Sequence, residues 1–310
     1  MEKISVVGIG KLGICLSLVL ERNGYDVVGV DINEDYINSI NSKTFKSTEK
    51  DVNELLKSST NLKATTNVEE AINHSDFIFV VVPTPSKPNG SYNHMYINNF
   101  VKSLSKLTDE NGVNSNKKHI IICCTTMPGY LQDLKKLLER MNYTLTYNPE
   151  FIAQGTIIRD MQNPDMILIG ETDTIVGDKL EEIYKKLCEN NPPFFRMPLT
   201  SAEITKLALN CFVTNKIAFA NSIGDLCLSV NESPDKVLEA IGSDSRVGGK
   251  AFKYGYGFGG PCFPRDNKAL GFFSRKIGDD FLFSYATEQM NQNHLKNQIK
   301  RFEIKNTDKT

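Results

Sequence analysis

The run ISVVGIGKLGICLSLVLERNGYDVVGVDIN, residues 4 to 33, constrains the fold more than any other stretch of the chain. An apolar strand (Ile4 to Gly8) meets a glycine turn, an amphipathic helix follows, and a second apolar strand closes on Asp31. Each glycine has a separate task in such a unit. Gly8 permits the tight turn, Gly10 lets backbone N–H groups reach a pyrophosphate at the helix N-terminus, and Gly13 lets the helix pack closely on the strand. Asp31 is placed to accept hydrogen bonds from both ribose hydroxyls and to repel a 2′-phosphate. With no Arg or Lys between Ile32 and Ser42, the pattern predicts NAD rather than NADP.

Apolar runs at 76–82 (DFIFVVV), 119–124 (HIIICC), 143–147 (YTLTY) and 165–171 (DMILIGE) alternate with helical patterns through the first two hundred residues. That alternation predicts an α/β fold, a Rossmann-like doubly wound parallel sheet. Polar or Pro-rich loops follow three of these strands: PTPSKPNG after Val82, TTMPG after Cys124 and NPEFIAQG after Tyr147. Ligands of open sheets bind outside the carboxyl ends of the strands, so these loops are expected to border one crevice.

After Thr200 the pattern becomes helical, with no proline between Pro198 and Pro234. A chain of 310 residues exceeds the size at which single cores stop growing. The expected division is a nucleotide-binding domain over 1–198, an all-helical dimerisation and substrate domain with a long linking helix over 199–295, and a polar tail over 296–310. Glu203, Lys206 and Asn210 stand at i, i+3 and i+7, on one face of the long helix. Among Ile204, Leu207, Ala208 and Leu209, Lys206 fits either snorkelling to solvent or catalysis.

The string GFGGPCFPRDNKAL, residues 257 to 270, places Cys262 and Asp266 beside backbone that a bulky ligand can approach closely. An apolar helix begins just there, and a helix N-terminus stabilises a thiolate or carboxylate. Taken alone, the string also fits a Gly/Pro turn with a buried cysteine and an N-cap aspartate.

A net charge of −1 with interspersed signs carries no electrostatic footprint for nucleic acid or an anionic membrane. No apolar run approaches the roughly 18 residues of a membrane span, and no signal segment precedes the first strand, so a cytoplasmic location is expected. Seven cysteines form no CxxC and read as reduced thiols, six of them core filler. The four histidines show no metal-ligand spacing, and no metal is expected.

From residue 4 to about residue 293 the chain resembles the nucleotide-sugar dehydrogenase family, which includes the UDP-glucose and GDP-mannose dehydrogenases. The resemblance is carried by GIGKLG, VVPTP (81–85), TTMPG (125–129), YNPEF (147–151), NPDMILIG (163–170), AEITKLALN (202–210), DSRVG (244–248) and GFGGPCFPRD. It implies oxidation of a sugar CH2OH to a carboxylate with two NAD+ in succession, UDP-glucose being the first expected substrate. Cys262 would be the nucleophile, captured as a thiohemiacetal and then a thioester. Lys206 and Asn210 would stabilise oxyanion charge, Asp266 and Thr126 would hold and activate water, and Glu150 would assist proton transfer.

The same resemblance places the cofactor against Gly8, Ile9, Gly10, Lys11, Leu12, Gly13, Asp31, Thr84 and Thr126. The sugar nucleotide would meet Glu150, Phe151, Lys206, Asn210, Arg246, Lys253, Phe258, Gly259 and Gly260, with Arg246 reaching it from the neighbouring subunit of a homodimer built on the long helix. Lys11, Gln154 and Arg265 depart from the residues commonest in the family. Members also continue into a third, nucleotide-gripping domain, where this sequence has NQIKRFEIKNTDKT. Three explanations stand open for that difference: a separate chain supplying the domain, a smaller or weakly bound substrate, or a remnant protein. Two other functions stand beside the leading one, a single-hydride NAD-dependent β-hydroxyacid dehydrogenase and a non-catalytic nucleotide-binding subunit. A one-hydride enzyme needs no thiol, which makes Cys262 the discriminating residue.

Overall fold

The structure, a computed structural model, describes residues 1–112 and 116–307. Its first half alternates strand and helix: β1 (Glu2–Val7), α1 (Lys11–Arg22), β2 (Tyr25–Val30), α2 (Glu34–Asn41), α3 (Val52–Ser58), β3 (Leu62–Thr65), α4 (Val68–His74) and β4 (Phe77–Val80). There follow α5 (Met95–Asn111), β5 (Lys118–Ile122), α6 (Tyr130–Glu139), β6 (Tyr143–Tyr147), α7 (Ile157–Gln162), β7 (Ile167–Gly170), α8 (Thr174–Leu187) and β8 (Phe194–Met197). Four helices complete the described chain: α9 (Leu199–Ser229), α10 (Pro234–Ser243), α11 (Phe263–Lys276) and α12 (Leu282–Thr307).

Two compact units result. One holds Met1–Pro85 and Asn93–Glu203, the other Ser86–Tyr92 and Ile204–Thr310. In the first, eight strands pair in the order β3-β2-β1-β4-β5-β6-β7-β8, whose first six positions are the order of a dinucleotide-binding sheet. Side chains alternate across it. Val6, Ile121 and Ile169 enter a core on one face, while Val7, Ile120, Ile122 and Leu168 enter a core on the other. Helices cover both faces, which is why the strands read as apolar runs rather than as alternation.

The sheet departs from the expected all-parallel arrangement at one joint. β6 and β7 pair antiparallel, Tyr147 opposite Gly170, whereas β7 and β8 are again parallel. β3 and β8 were not expected at all.

The second unit is built on helices. α9 runs without interruption through the proline-free stretch, as its composition predicts. The expected polar tail over 296–310 continues α12 as far as residue 307, and Asn297, Gln298 and Arg301 there hydrogen-bond to the rest of the unit. Asp225 on α9 is buried and accepts from His294 Nδ1 (3.0 Å), Asn297 Nδ2 (2.9 Å), Arg301 (2.6 Å) and the Tyr254 hydroxyl (3.0 Å). Burial pushes its carboxyl up, but the donors outweigh that and hold it below the ordinary carboxylate range. One apolar cluster of the unit gathers Ala220, Leu238 and Phe252 with a few half-buried neighbours, and the polar centre at Asp225 adds hydrogen bonds between the helices.

Among the described residues no helix is long and apolar enough to cross a membrane. No group of three or more His, Cys, Asp or Glu there is placed to hold a metal. All seven cysteines are free. Five are buried, Cys227 is partly exposed, and Cys262 is exposed.

Candidate active site

In the sheet unit the glycine turn is set by sterics. Gly8 has φ +92°, and a Cβ there would stand 2.4 Å from the Val81 carbonyl oxygen. A Cβ on Gly13 would stand 2.1 Å from the Gly8 carbonyl oxygen, whereas one on Gly10 would meet nothing within 4 Å. Backbone therefore closes on Gly8 and Gly13 and leaves the N-terminus of α1 open at Gly10, where the amides and helix dipole favour an anion. Ile9 is buried, and its carbonyl accepts the Tyr36 hydroxyl at 2.7 Å. Leu12 packs against the core.

A cavity of about 470 Å³ opens beside this turn, lined among others by Gly10, Lys11, Asp31, Asn33, Tyr36 and Ser47. Asp31 follows the last residue of β2, and its Oδ1 accepts the Asn33 N–H at 3.1 Å. Lys11 lines the cavity and also pairs with Glu49 at 2.9 Å. Glu49 is buried and takes the Gly155 N–H as well, tying the cavity rim to the loop after β6. An anion site at Gly10 and a carboxylate beyond β2, on one open cavity, fit an adenine dinucleotide.

The loops after β4, β5 and β6 carry Thr84, Thr126, Glu150 and Phe151. Thr84 is buried, and Thr126 is fully buried with its hydroxyl donating to Glu203 Oε1 at 2.8 Å. Glu203 also accepts the N–H groups of Gly129 (2.7 Å) and Leu131 (3.2 Å), capping α6. Burial nevertheless dominates and pushes its carboxyl up to about 7, against the three hydrogen bonds that lower it. Glu150 receives the Tyr184 hydroxyl at 3.3 Å, and Phe151 is half-buried against the sheet core.

In the helical unit Cys262 is the N-cap of α11, and Asp266 lies in that helix's first turn. The alternative of a buried cysteine does not hold: the thiol is exposed. Asp266 is 3% exposed, and Asn210 Nδ2 donates to its Oδ2 at 2.6 Å. Lys206 is buried, so it does not snorkel to solvent. Arg246 and Lys253 lie exposed on the segment between α10 and α11; the Arg246 guanidinium pairs with Asp244 at 2.7 Å.

The loop leading to Cys262 is held from outside. Asn291 on α12 accepts the Phe258 N–H at 2.9 Å and donates to the Phe258 carbonyl at 3.0 Å, pairing with it as a neighbouring strand would. Asn221 accepts the Gly255 N–H, and His294 and Gln298 meet the Gly255 carbonyl at 2.8 and 2.9 Å. Phe258 is buried, while Gly259 and Gly260 are exposed with open space where a Cβ would lie. Asn291, His294 and Asp225 were not singled out from the sequence. A charged residue inside an apolar helix, as in IGDLCL, is the one signal that could have found Asp225.

Fold and side chains together define an adenine-dinucleotide-binding α/β unit joined to a helical unit that bears an exposed, helix-capping cysteine. The chain belongs to the UDP-glucose/GDP-mannose dehydrogenase family: the family's NAD-binding domain matches residues 2–188 and its central domain residues 200–293. It is 29% identical over 299 residues to UDP-glucose 6-dehydrogenase YwqF of Bacillus subtilis, covering 94% of this chain and 66% of that one. It is 31% identical over 281 residues to GDP-mannose 6-dehydrogenase of Pseudomonas savastanoi, covering 86% and 63%. A solved UDP-glucose dehydrogenase from Pyrobaculum islandicum superposes with a TM-score of 0.84 at 29% identity, covering 94% of this chain and 68% of the other. The chain thus spans about two thirds of the length of the relatives it matches, and its cofactor, by family, is NAD.

Proposed function

We propose that the protein is an NAD-dependent nucleotide-sugar 6-dehydrogenase that oxidises UDP-glucose to UDP-glucuronate. The observation that carries the proposal is the exposed Cys262 at the N-terminus of α11, in one unit with the buried Lys206 and the Asn210–Asp266 pair. A single-hydride dehydrogenase has no use for a thiol there.

NAD, when bound, supplies the acceptor for both hydrides; the Gly8–Gly13 turn would hold its pyrophosphate and Asp31 its ribose. The Cys262 thiolate adds to the C6 aldehyde and retains it as a thiohemiacetal. Lys206 and Asn210 hold the oxyanion that forms at C6, a task suited to donors fixed in place before the reaction. At the thioester stage Asp266 orients the attacking water and takes its proton. Thr126, whose own proton is committed to Glu203, would serve as an acceptor for water, and Glu150 as the carboxylate assisting proton transfer. Phe258 and Gly259 would present ring and backbone to the sugar, and Arg246 and Lys253 their charges to the diphosphate.

A homodimer is part of the proposal. Phe212, Phe219 and Leu226 stand seven residues apart on α9 and are 57%, 42% and 65% exposed, an apolar stripe that a second α9 would cover.

The test is stoichiometric. Purified protein with NAD+ and limiting UDP-glucose should give two NADH per sugar, and Cys262→Ala should bind NAD but form no acid. Acid from the alanine variant refutes the thioester route, and turnover of GDP-mannose alone reassigns the substrate.

A further inference from the structure

The loop between β4 and α5 contains a small antiparallel excursion that belongs to the helical unit. Ser86 bridges Tyr92, the Lys87 N–H donates to the Ser91 carbonyl at 2.7 Å, and the Gly90 N–H to the Lys87 carbonyl at 3.0 Å. Arg265 on α11 fastens it from outside. Its Nε donates to Ser86 Oγ at 2.8 Å, and its guanidinium lies 5.1 Å from the centre of the Tyr92 ring. Only 2% of Tyr92 is exposed, and its hydroxyl donates to Asp266 Oδ1. No motif that picked out the other site residues includes position 92.

We infer that Tyr92 is a positioning residue for Asp266 in the hydrolytic half of the reaction, an inference that rests on the proposed thioester route. Tyr92 takes one carboxylate oxygen and Asn210 the other. A carboxylate has about four acceptor positions, so two donors, one on each oxygen, stop its rotation and leave fixed lone pairs for a water. Burial, and next the charge of Asp266, push the Tyr92 phenol far above its ordinary range, so the hydroxyl stays protonated and acts only as a donor. In the step it supports, water oxygen bonds to the thioester carbon and one water proton passes to Asp266. The C–S bond then breaks and returns the thiolate, with no change in oxidation state.

Tyr92→Phe removes that donor and little else. In a single turnover we expect the sugar thioester on Cys262 to accumulate by intact-protein mass, with kcat lowered roughly 10- to 100-fold, the range for losing a hydrogen bond to a charged group, and KM changed less than about threefold. In an Asp266→Asn background the same substitution should cost nothing further, a coupling that a general loss of packing would not produce. Arg265→Gln, which keeps the hydroxyl but loosens the excursion, should show a smaller loss of the same kind and stands in if the phenylalanine variant does not fold. Hydrolysis at the parent rate in both variants, or equal losses in the two backgrounds, overturns the inference. If the parent protein oxidises no nucleotide sugar, the functional reading fails instead, and alkylation of Cys262 by iodoacetamide decides on Tyr92. A freed Asp266 carboxylate would repel the neighbouring thiolate and slow alkylation at least threefold in Tyr92→Phe, whereas an unchanged rate overturns the inference.

Discussion

Two glycine-rich turns, one in each unit, reach their shapes by opposite means. At the β1–α1 turn the chain's own backbone leaves no room for a Cβ on Gly8 or Gly13. In the loop before Cys262, Gly255, Gly259 and Gly260 all have open space where a Cβ would lie, and the conformation is imposed by amide and imidazole side chains of α9 and α12. The first turn is shaped by backbone, the Gly8 carbonyl against Gly13 and the Val81 carbonyl of the neighbouring segment against Gly8; the second is held by side chains of two helices. Backbone sterics tolerate no substitution, whereas a clamp of hydrogen bonds fails piece by piece.

The largest expected effect separates the two. Gly13→Ala should cost at least about 3 kcal/mol, because neither backbone can move aside, and should take NAD binding with it. Gly259→Ala should stay within about 1 kcal/mol. Urea unfolding and NAD titration of both variants check this, and equal losses would break the contrast. Next comes the clamp. Asn291→Ala strands the N–H and C=O of the buried Phe258, for about 1–3 kcal/mol of stability, and should lower kcat about tenfold through the loosened Cys262 loop while NAD affinity holds. Loss of NAD binding alongside would mean that the clamp is not local to the helical unit.

A pH dependence confined to the sheet unit sharpens the comparison further, smallest in its effect on activity. Glu203 binds its proton more tightly folded (about 7) than in its ordinary state (4.5). Between those values the folded chain therefore carries the extra proton, and stability falls as pH rises. The protonated carboxyl contributes on the order of 3 kcal/mol below pH 4.5, and that contribution is lost as pH passes 7. Glu203→Gln should remove this slope, seen by comparing urea unfolding of the two proteins at pH 5.5 and pH 8. Parallel curves would show that the three donors, not burial, decide its charge.

The same contrast governs what could be read from the chain. β1, β2, β4, β5, β6 and β7 are buried on both faces and announced themselves as apolar runs. β3 (LKAT) and β8 (FFRM) are four-residue edge strands, half exposed, and each is interrupted by a charged residue. The reversal at β6–β7 depends on how the chain returns through α7, which no periodicity records. The glycine turn and the Cys262 string were legible because their residue types are dictated by local chemistry. Tyr92, Asn291 and His294 were not, because each acts through one or two hydrogen bonds to partners distant in sequence. The helical course of residues 296 to 307 was not legible for a related reason: its tether is a buried carboxylate rather than an apolar stripe.

That tether has a consequence for how the protein is made. Gln298 grips Gly255, and Arg301 grips Asp225 and Tyr254, so the clamp on the loop before Cys262 is complete only once residue 301 has been synthesised. A nascent chain can finish its sheet while the segment before Cys262 still lacks its clamp, so the order of synthesis sets the order in which the two units can form.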